Sequence, residues 1–132
     1  MARRARRCAA RASPRCVAGA SAPHPAQLNR ELTRCKTVAG LLAVCRARAS
    51  QFDAINMVTA LHGIAKSRGG VEVQEDPAFV SLMGSLLASA SSLQAQGICN
   101  TAWSLARLQV RDKPLLDALS AAARNLCSYT FR

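Results

Sequence analysis

The sequence predicts an all-α fold, an α-solenoid of stacked antiparallel helix pairs with about two to two and a half repeats. Three observations carry that expectation. The segment FDAINMVTALHGIAK (residues 52–66) returns 41 positions later as LQAQGICNTAWSLAR (residues 93–107). A repeat of that period is the signature of a helical array in which each unit buries its apolar face on the next. Both copies are followed by an Asp–Pro or Asp–Lys–Pro step that opens a second apolar run, at Asp76-Pro77 and at Asp112-Lys113-Pro114. Half the residues are apolar and aromatics are only 4 %, a composition dominated by strong helix formers such as Ala, Leu and Arg.

The helices follow in order. Between Thr37 and Ala49 the residues Val38, Leu41, Leu42, Val44 and Cys45 fall at helical spacing, with Thr37 as the cap. The next helix, from about Asp53 to Ser67, marks one face with Ile55, Val58, Leu61, His62 and Ala65. Met57 and Ile64 widen its apolar side, which implies burial against more than one neighbour. Gly69 and Gly70 stop it. Asp76 then caps a helix with Pro77 in its first turn, and Phe79, Leu82, Met83, Leu86, Leu87 and Ala90 form an i, i+3, i+4, i+7 stripe. A helix from about Ala95 to Leu108 carries Ile98, Ala102 and Leu105, flanked by Cys99, Trp103 and Ala106. Asp112 opens the last one, with Leu115, Leu116, Leu119, Ala122, Ala123 and Leu126. Pro77 and Pro114 are 37 positions apart, so the 41-residue spacing of the first helices places a few extra residues in the 69–74 connection. Phe131 sits where Phe52 and Leu93 open their units. The chain is therefore expected to be a stretch of a longer array, truncated at its C-terminus.

Residues 1–26 read differently from residues 27–132. They hold six Arg and no acid, with Pro14, Pro23 and Pro25 breaking any long helix. Rich in Arg and Ala and without an apolar core segment, they have the composition of an organellar transit peptide or a disordered basic leader. The expected address is the mitochondrion or the chloroplast, in the matrix or stroma. The remaining twelve basic residues face all seven acidic ones, which leaves +5 on the helical-repeat domain of residues 27–132. A basic excess suits a polyanion such as nucleic acid, or an anionic membrane surface. No apolar stretch approaches the roughly 18 residues of a membrane-spanning helix, so stable membrane insertion is not expected.

Cys35, Cys45, Cys99 and Cys127 show no Cys-x-x-Cys and no His at metal-ligand spacing. They read as small core residues, and no metal or other cofactor is expected. There is no Gly-rich phosphate loop, nucleophile motif or carboxylate pair in an apolar context, so enzyme activity is not expected.

NTAWSLARL (residues 100–108) and KPLLDALSAAA (residues 113–123) resemble the octotricopeptide repeat, and residues 32–66 resemble the segment that often precedes such runs. That family of α-solenoid proteins often ends in a RAP domain and is related to the FAST-kinase-like proteins. The Asn-Thr-x-Trp-x-Leu-Ala-Arg-Leu run is the most specific part. The first unit departs from it, with Thr59 for Asn, His62 for Trp and Gly63 inside the helix. The resemblance implies a factor that binds single-stranded organellar RNA and takes part in RNA processing, stability or translation, in company with other ribonucleoprotein components. The alternatives are an α-solenoid scaffold for protein partners and a non-functional fragment of a longer array.

On a solenoid, cations would meet phosphates along one face. Lys66 and Arg107 are equivalent in the two units and are the first candidates, against a role in offsetting the helix macrodipole. Arg68, Arg111 and Lys113 cluster near the same helix ends and extend the candidate track, against a solvated turn. Arg46 and Arg48 close the preceding helix. Trp103 is read as core packing rather than as a stacking platform, with His62 as its polar counterpart.

Overall fold

A computed structural model describes residues 24–130, apart from position 68. The organellar address was expected of residues 1–26, and all but residues 24–26 of that segment lie outside the described residues. Candidate Arg68 and the unit start at Phe131 are outside them too. The described residues form six α-helices: α1 (Pro25–Arg34), α2 (Val38–Arg48), α3 (Ala54–Lys66), α4 (Pro77–Ser89), α5 (Ala95–Leu108) and α6 (Lys113–Thr130). Short 3-10 turns at Ala49–Gln51, Gly70–Glu75 and Ala90–Ser92 lead into α3, α4 and α5.

These helices stack as pairs. The odd-numbered helices lie side by side, α1 against α3 and α3 against α5, while α2 packs on α4 and α4 on α6 behind them. The described residues thus hold three pairs, where the sequence led us to expect two to two and a half. The additional element is α1, which takes in Pro25 and Ala26. Pro25 is not a breaker here because it occupies the first turn, where the missing N–H has no helical partner to lose. His24 caps the helix. Its Nδ1 accepts from the Ala26 N–H at 3.2 Å, and its own N–H donates to Gln27 Oε1 at 3.3 Å. Leu28 and Leu32, one turn apart, are then buried.

The caps read from the sequence are in place. Thr37 Oγ1 accepts from Gly40 N–H at 3.1 Å, Asp53 Oδ1 from Asn56 N–H at 2.8 Å, Asp76 Oδ1 from Ala78 N–H at 2.8 Å and Asp112 Oδ1 from Leu115 N–H at 3.2 Å. The extra residues between α3 and α4 form the Gly70–Glu75 turn, entered through Gly69 at φ 80°. That turn also reaches the next unit, where Gln74 Nε2 donates to the Leu108 carbonyl at the end of α5 at 2.7 Å.

The core runs through all three pairs: Leu28 and Leu32 on α1, Leu41, Leu42 and Cys45 on α2, Leu61 and Ile64 on α3, Phe79 and Leu86 on α4, Leu105 and Leu108 on α5, Leu115 and Leu119 on α6. Gly63 is the point where α2 meets α3. A Cβ there would lie 3.1 Å from Leu41 Cδ1, so the departure from the repeat pattern at this position serves a close helix crossing. The buried Cys45 thiol is pushed up to about 11 by burial, with neighbouring Cys35 adding to the shift, and it behaves as a core residue.

Several faces are rotated from the expected ones. α3 centres its core on Met57, Ala60, Leu61 and Ile64, and leaves Ile55 66 % exposed. On α4 and α6, Leu87 and Leu116 point to solvent. On α5, Thr101 and Ser104 are buried in place of Ala102 and Ala106, which are exposed. Both hydroxyls are satisfied within the helix, Thr101 Oγ1 donating to Gly97 O at 2.7 Å and Ser104 Oγ to Asn100 O at 2.6 Å. Such back-bonding lets a small polar residue sit at a helix crossing at little cost. Cys99 and Cys127, expected in the core, are exposed free thiols. Cys99 is equivalent to Val58, which α5 itself covers, but no described helix covers α5 in the same way.

α5 ends in a Schellman arrangement. Gln109 N–H donates to the Ala106 carbonyl at 3.2 Å and Val110 N–H to the Leu105 carbonyl at 3.0 Å. Gln109 stands at φ 58°, in the left-handed region that costs an L-residue about 1 kcal/mol. Gln109→Gly is therefore expected to stabilise the chain by about 0.5–1 kcal/mol. The urea midpoint should rise with an unchanged m-value, and a lower midpoint would show that the Gln side chain matters more than the backbone.

Candidate nucleic-acid interface

Two stripes of side chains run along the outward faces of α3 and α5. Residues at i, i+4, i+7 and i+11 share one face of a helix. On α3 these are Ile55, Thr59, His62 and Lys66, and on α5 they are Gln96, Asn100, Trp103 and Arg107. Each residue of the first stripe is 41 positions before its counterpart in the second, so stacking α5 on α3 places equivalent residues next to one another.

The stripes meet at His62 and Trp103, whose ring centroids are 4.9 Å apart at an interplanar angle of 45°. Trp103 is 45 % exposed, not buried as expected. The core face of α5 is set by Ile98, Thr101, Ser104, Leu105 and Leu108, and Trp103 lies off that face on the open stripe. The Arg107 guanidinium carbon is 5.8 Å from the Trp103 ring centroid, within cation–π range. Arg107 Nε also donates to the Ala65 carbonyl at 3.2 Å, which ties the end of α5 to the end of α3. Its two Nη groups have no protein partner among the described residues.

Two grooves flank α3 on this side. One, of about 470 Å³, lies between the C-terminal ends of α1 and α3 and is lined by Thr33, Lys36, Thr59, His62 and Lys66. The other, of about 520 Å³, lies between the N-terminal halves of α3 and α5 and is lined by Ile55, Val58, Leu93, Gln96, Gly97 and Asn100, with Asp53 at its end. The face is therefore cationic and aromatic towards the helix C-termini, and apolar with amides towards the N-termini.

Of the residues named from sequence, Lys66 and Arg107 come together as neighbours on this face, both exposed. Arg111 and Lys113 are exposed in and just after the α5–α6 connection, near the Arg107 end of α5. Arg46 and Arg48 are used within the chain. Arg46 Nη2 pairs with Asp76 Oδ2 at 2.6 Å, and Arg48 Nη2 lies 3.9 Å from Glu31 Oε1. Lys36 was missed. It lies in the connection after α1, two residues beyond Arg34, which closes α1 as Lys66 closes α3 and Arg107 closes α5, and recognising α1 would have revealed both. Each of the three described units thus brings at least one exposed cation to the same end of the odd-numbered helices, Arg34 and Lys36 in the first, Lys66 in the second and Arg107 in the third.

His62 is held neutral. Burial lowers its pKa first, and the nearby Lys66 charge lowers it further. Its Nδ1 is buried with no hydrogen-bond partner, so protonation would place an unpaired charge beside Lys66. A group whose folded pKa lies below its unfolded value takes up protons preferentially on unfolding, so stability is lost as pH falls through the ordinary His range towards the folded pKa. The wild-type Tm is therefore expected to drop more than that of His62→Gln between about pH 7.5 and about pH 5, on either side of the ordinary His pKa. Parallel Tm curves for the two proteins would count against this account.

Comparison with models of protein families, with curated proteins and with solved structures finds no match to the chain.

Proposed function

We infer that the chain is an RNA-binding helical-repeat protein that covers a single-stranded RNA segment on the outward face of α1, α3 and α5. The observation that carries this reading is the recurrence of exposed cations at the same end of each unit, Lys36, Lys66 and Arg107 among them, beside the solvent-accessible Trp103–His62 pair. Cations spaced by a repeat suit the regular phosphates of a single strand, and an exposed aromatic surface suits unstacked bases. The octotricopeptide likeness of residues 100–108 points the same way and adds organellar transcripts as the target. Occupancy is the mechanism: a covered segment is withheld from nucleases and from base pairing, and the bound array can present the RNA to other components of a ribonucleoprotein.

The test is the affinity for a labelled single-stranded RNA of mixed sequence, followed by fluorescence anisotropy as salt is raised. Three phosphate contacts on a single strand give a log–log slope of about −2, which is about a twentyfold loss between about 50 and about 200 mM salt. Absence of binding, or binding that salt does not weaken, would turn the reading towards a protein-interaction scaffold.

A further inference from the structure

We propose that the groove between the N-terminal halves of α3 and α5 is a base-reading subsite in which Gln96 and Asn100 recognise an unpaired adenine. The inference rests on the RNA-binding reading and assigns the groove a role separate from that of the cations. Three features support it.

The first is the wall chemistry. Val58, Leu93 and Gly97 with the exposed Ile55 give the groove an apolar lining. Apolar walls with a few convergent polar groups suit a flat heterocycle. They do not suit a phosphate, and the Asp53 carboxylate at the end of the groove repels one.

The second is the hydrogen-bonding inventory of the amide pair. Gln96 Nε2 donates to Asn100 Oδ1 at 3.0 Å. That bond consumes one donor and one acceptor. It leaves the Gln96 carbonyl free to accept and the Asn100 amino group free to donate, side by side along α5. Turning both amides over exchanges the roles and leaves the same set, so the conclusion does not depend on how the amide atoms are assigned. A phosphate asks for donors only. A base edge asks for a donor and an acceptor together. Adenine presents that combination on two edges, its N6 amino group beside either N1 or N7, and amide side chains are its usual bidentate partners.

The third is spacing. Asn100 precedes Arg107 by seven residues, about 10 Å along the helix, with Trp103 between them on the same stripe. A nucleotide whose phosphate meets Arg107 has its base alongside Trp103 and its edge towards Asn100. The phosphate track and the base subsite are then two ends of one stripe.

Binding of oligo(A) and oligo(U) single strands of equal length to the full chain tests the proposal. The wild type is expected to prefer oligo(A) by about tenfold. Gln96→Ala combined with Asn100→Ala should remove that preference while leaving the salt slope unchanged. Asn100→Asp keeps the side-chain shape and removes the donor, so it should also lose the preference if the double variant fails to fold. Salt-dependent binding with no preference for oligo(A), or a preference that survives in the variants, overturns the adenine subsite and leaves the RNA-binding reading intact. Loss of salt-dependent binding in the wild type overturns both.

Discussion

Asn56→Ala is expected to lower the stability of the chain by about 2–3 kcal/mol and to release α1 from the array. Asn56 is 1 % exposed and is the most connected polar side chain of α3. Its Nδ2 donates to the Pro25 carbonyl at 3.0 Å and lies 3.4 Å from Asn29 Oδ1, while its Oδ1 accepts from the Asp53 N–H at 3.2 Å. One side chain thus closes the capping box of α3 and fastens the first turn of α1 to it. Truncation leaves the Asp53 N–H without its side-chain partner in partly buried surroundings and removes the only side-chain tie from α3 to the Pro25 carbonyl among the described residues. A stranded group costs about 1–3 kcal/mol, whereas an exposed hydrogen bond would be replaced by water at little loss. Against a total of roughly 5–15 kcal/mol for a domain of this size, the effect is large. Asn56→Leu should do no better, because it restores volume and none of the hydrogen bonds. Urea unfolding measures the loss. Hydrogen exchange locates it, with the amides of α1 exchanging faster and those of α5 little changed. A midpoint equal to that of the wild type would mean that Leu28 and Leu32 alone hold α1 in place.

The repeat, the caps and the helix order were legible because each has a local cause. Thr37, Asp53, Asp76 and Asp112 all cap as their sequence context implies, since a capping side chain needs only the next two or three backbone N–H groups. Burial depends on which neighbour covers which side, and that was less legible. α3 is apolar on several sides, so its residues alone did not show that Ile55 would face solvent and Met57 the core. Trp103 was assigned to the core because of its apolar helical neighbours and its alignment with His62. Yet position 62 is itself on the open stripe, so the alignment carried exposure from one unit to the next rather than burial. Thr101 and Ser104 were not among the expected core residues, although both are small enough to be buried with their hydroxyls bonded back into α5. α1 was hidden by Pro23 and Pro25 and by its junction with the Arg-rich leader. The sign that it was there, a possible cap at His24 before Leu28 and Leu32 one turn apart, occupies only nine residues. Missing α1 meant missing Lys36, and with it the third member of the cation series.

Replacing Lys36, Lys66 and Arg107 together by Ala is expected to weaken binding of single-stranded RNA about a hundredfold at about 0.1 M salt. Each phosphate contact on a single strand contributes about 0.7 to the log–log salt slope, so losing three removes about 2 from it. That is about two decades of affinity at 0.1 M relative to a 1 M reference. Lys36 and Lys66 act as point charges, and neither makes an ion pair among the described residues. Their single substitutions should cost about fivefold each and leave folding untouched. Arg107 has more than one role. It lies over Trp103 and donates to the Ala65 carbonyl, so Arg107→Ala also loosens the junction of α3 and α5. Arg107→Lys separates the two effects, because it keeps the charge and gives up the planar contact with the ring. Trp103 is the only Trp in the chain, and it is half exposed beside these cations, so its fluorescence reports the same event directly. RNA should quench it in the wild type and in Arg107→Lys, and should leave it unchanged in the triple variant. A triple variant that stays folded by circular dichroism and binds RNA with the wild-type slope would remove these three cations from the interface.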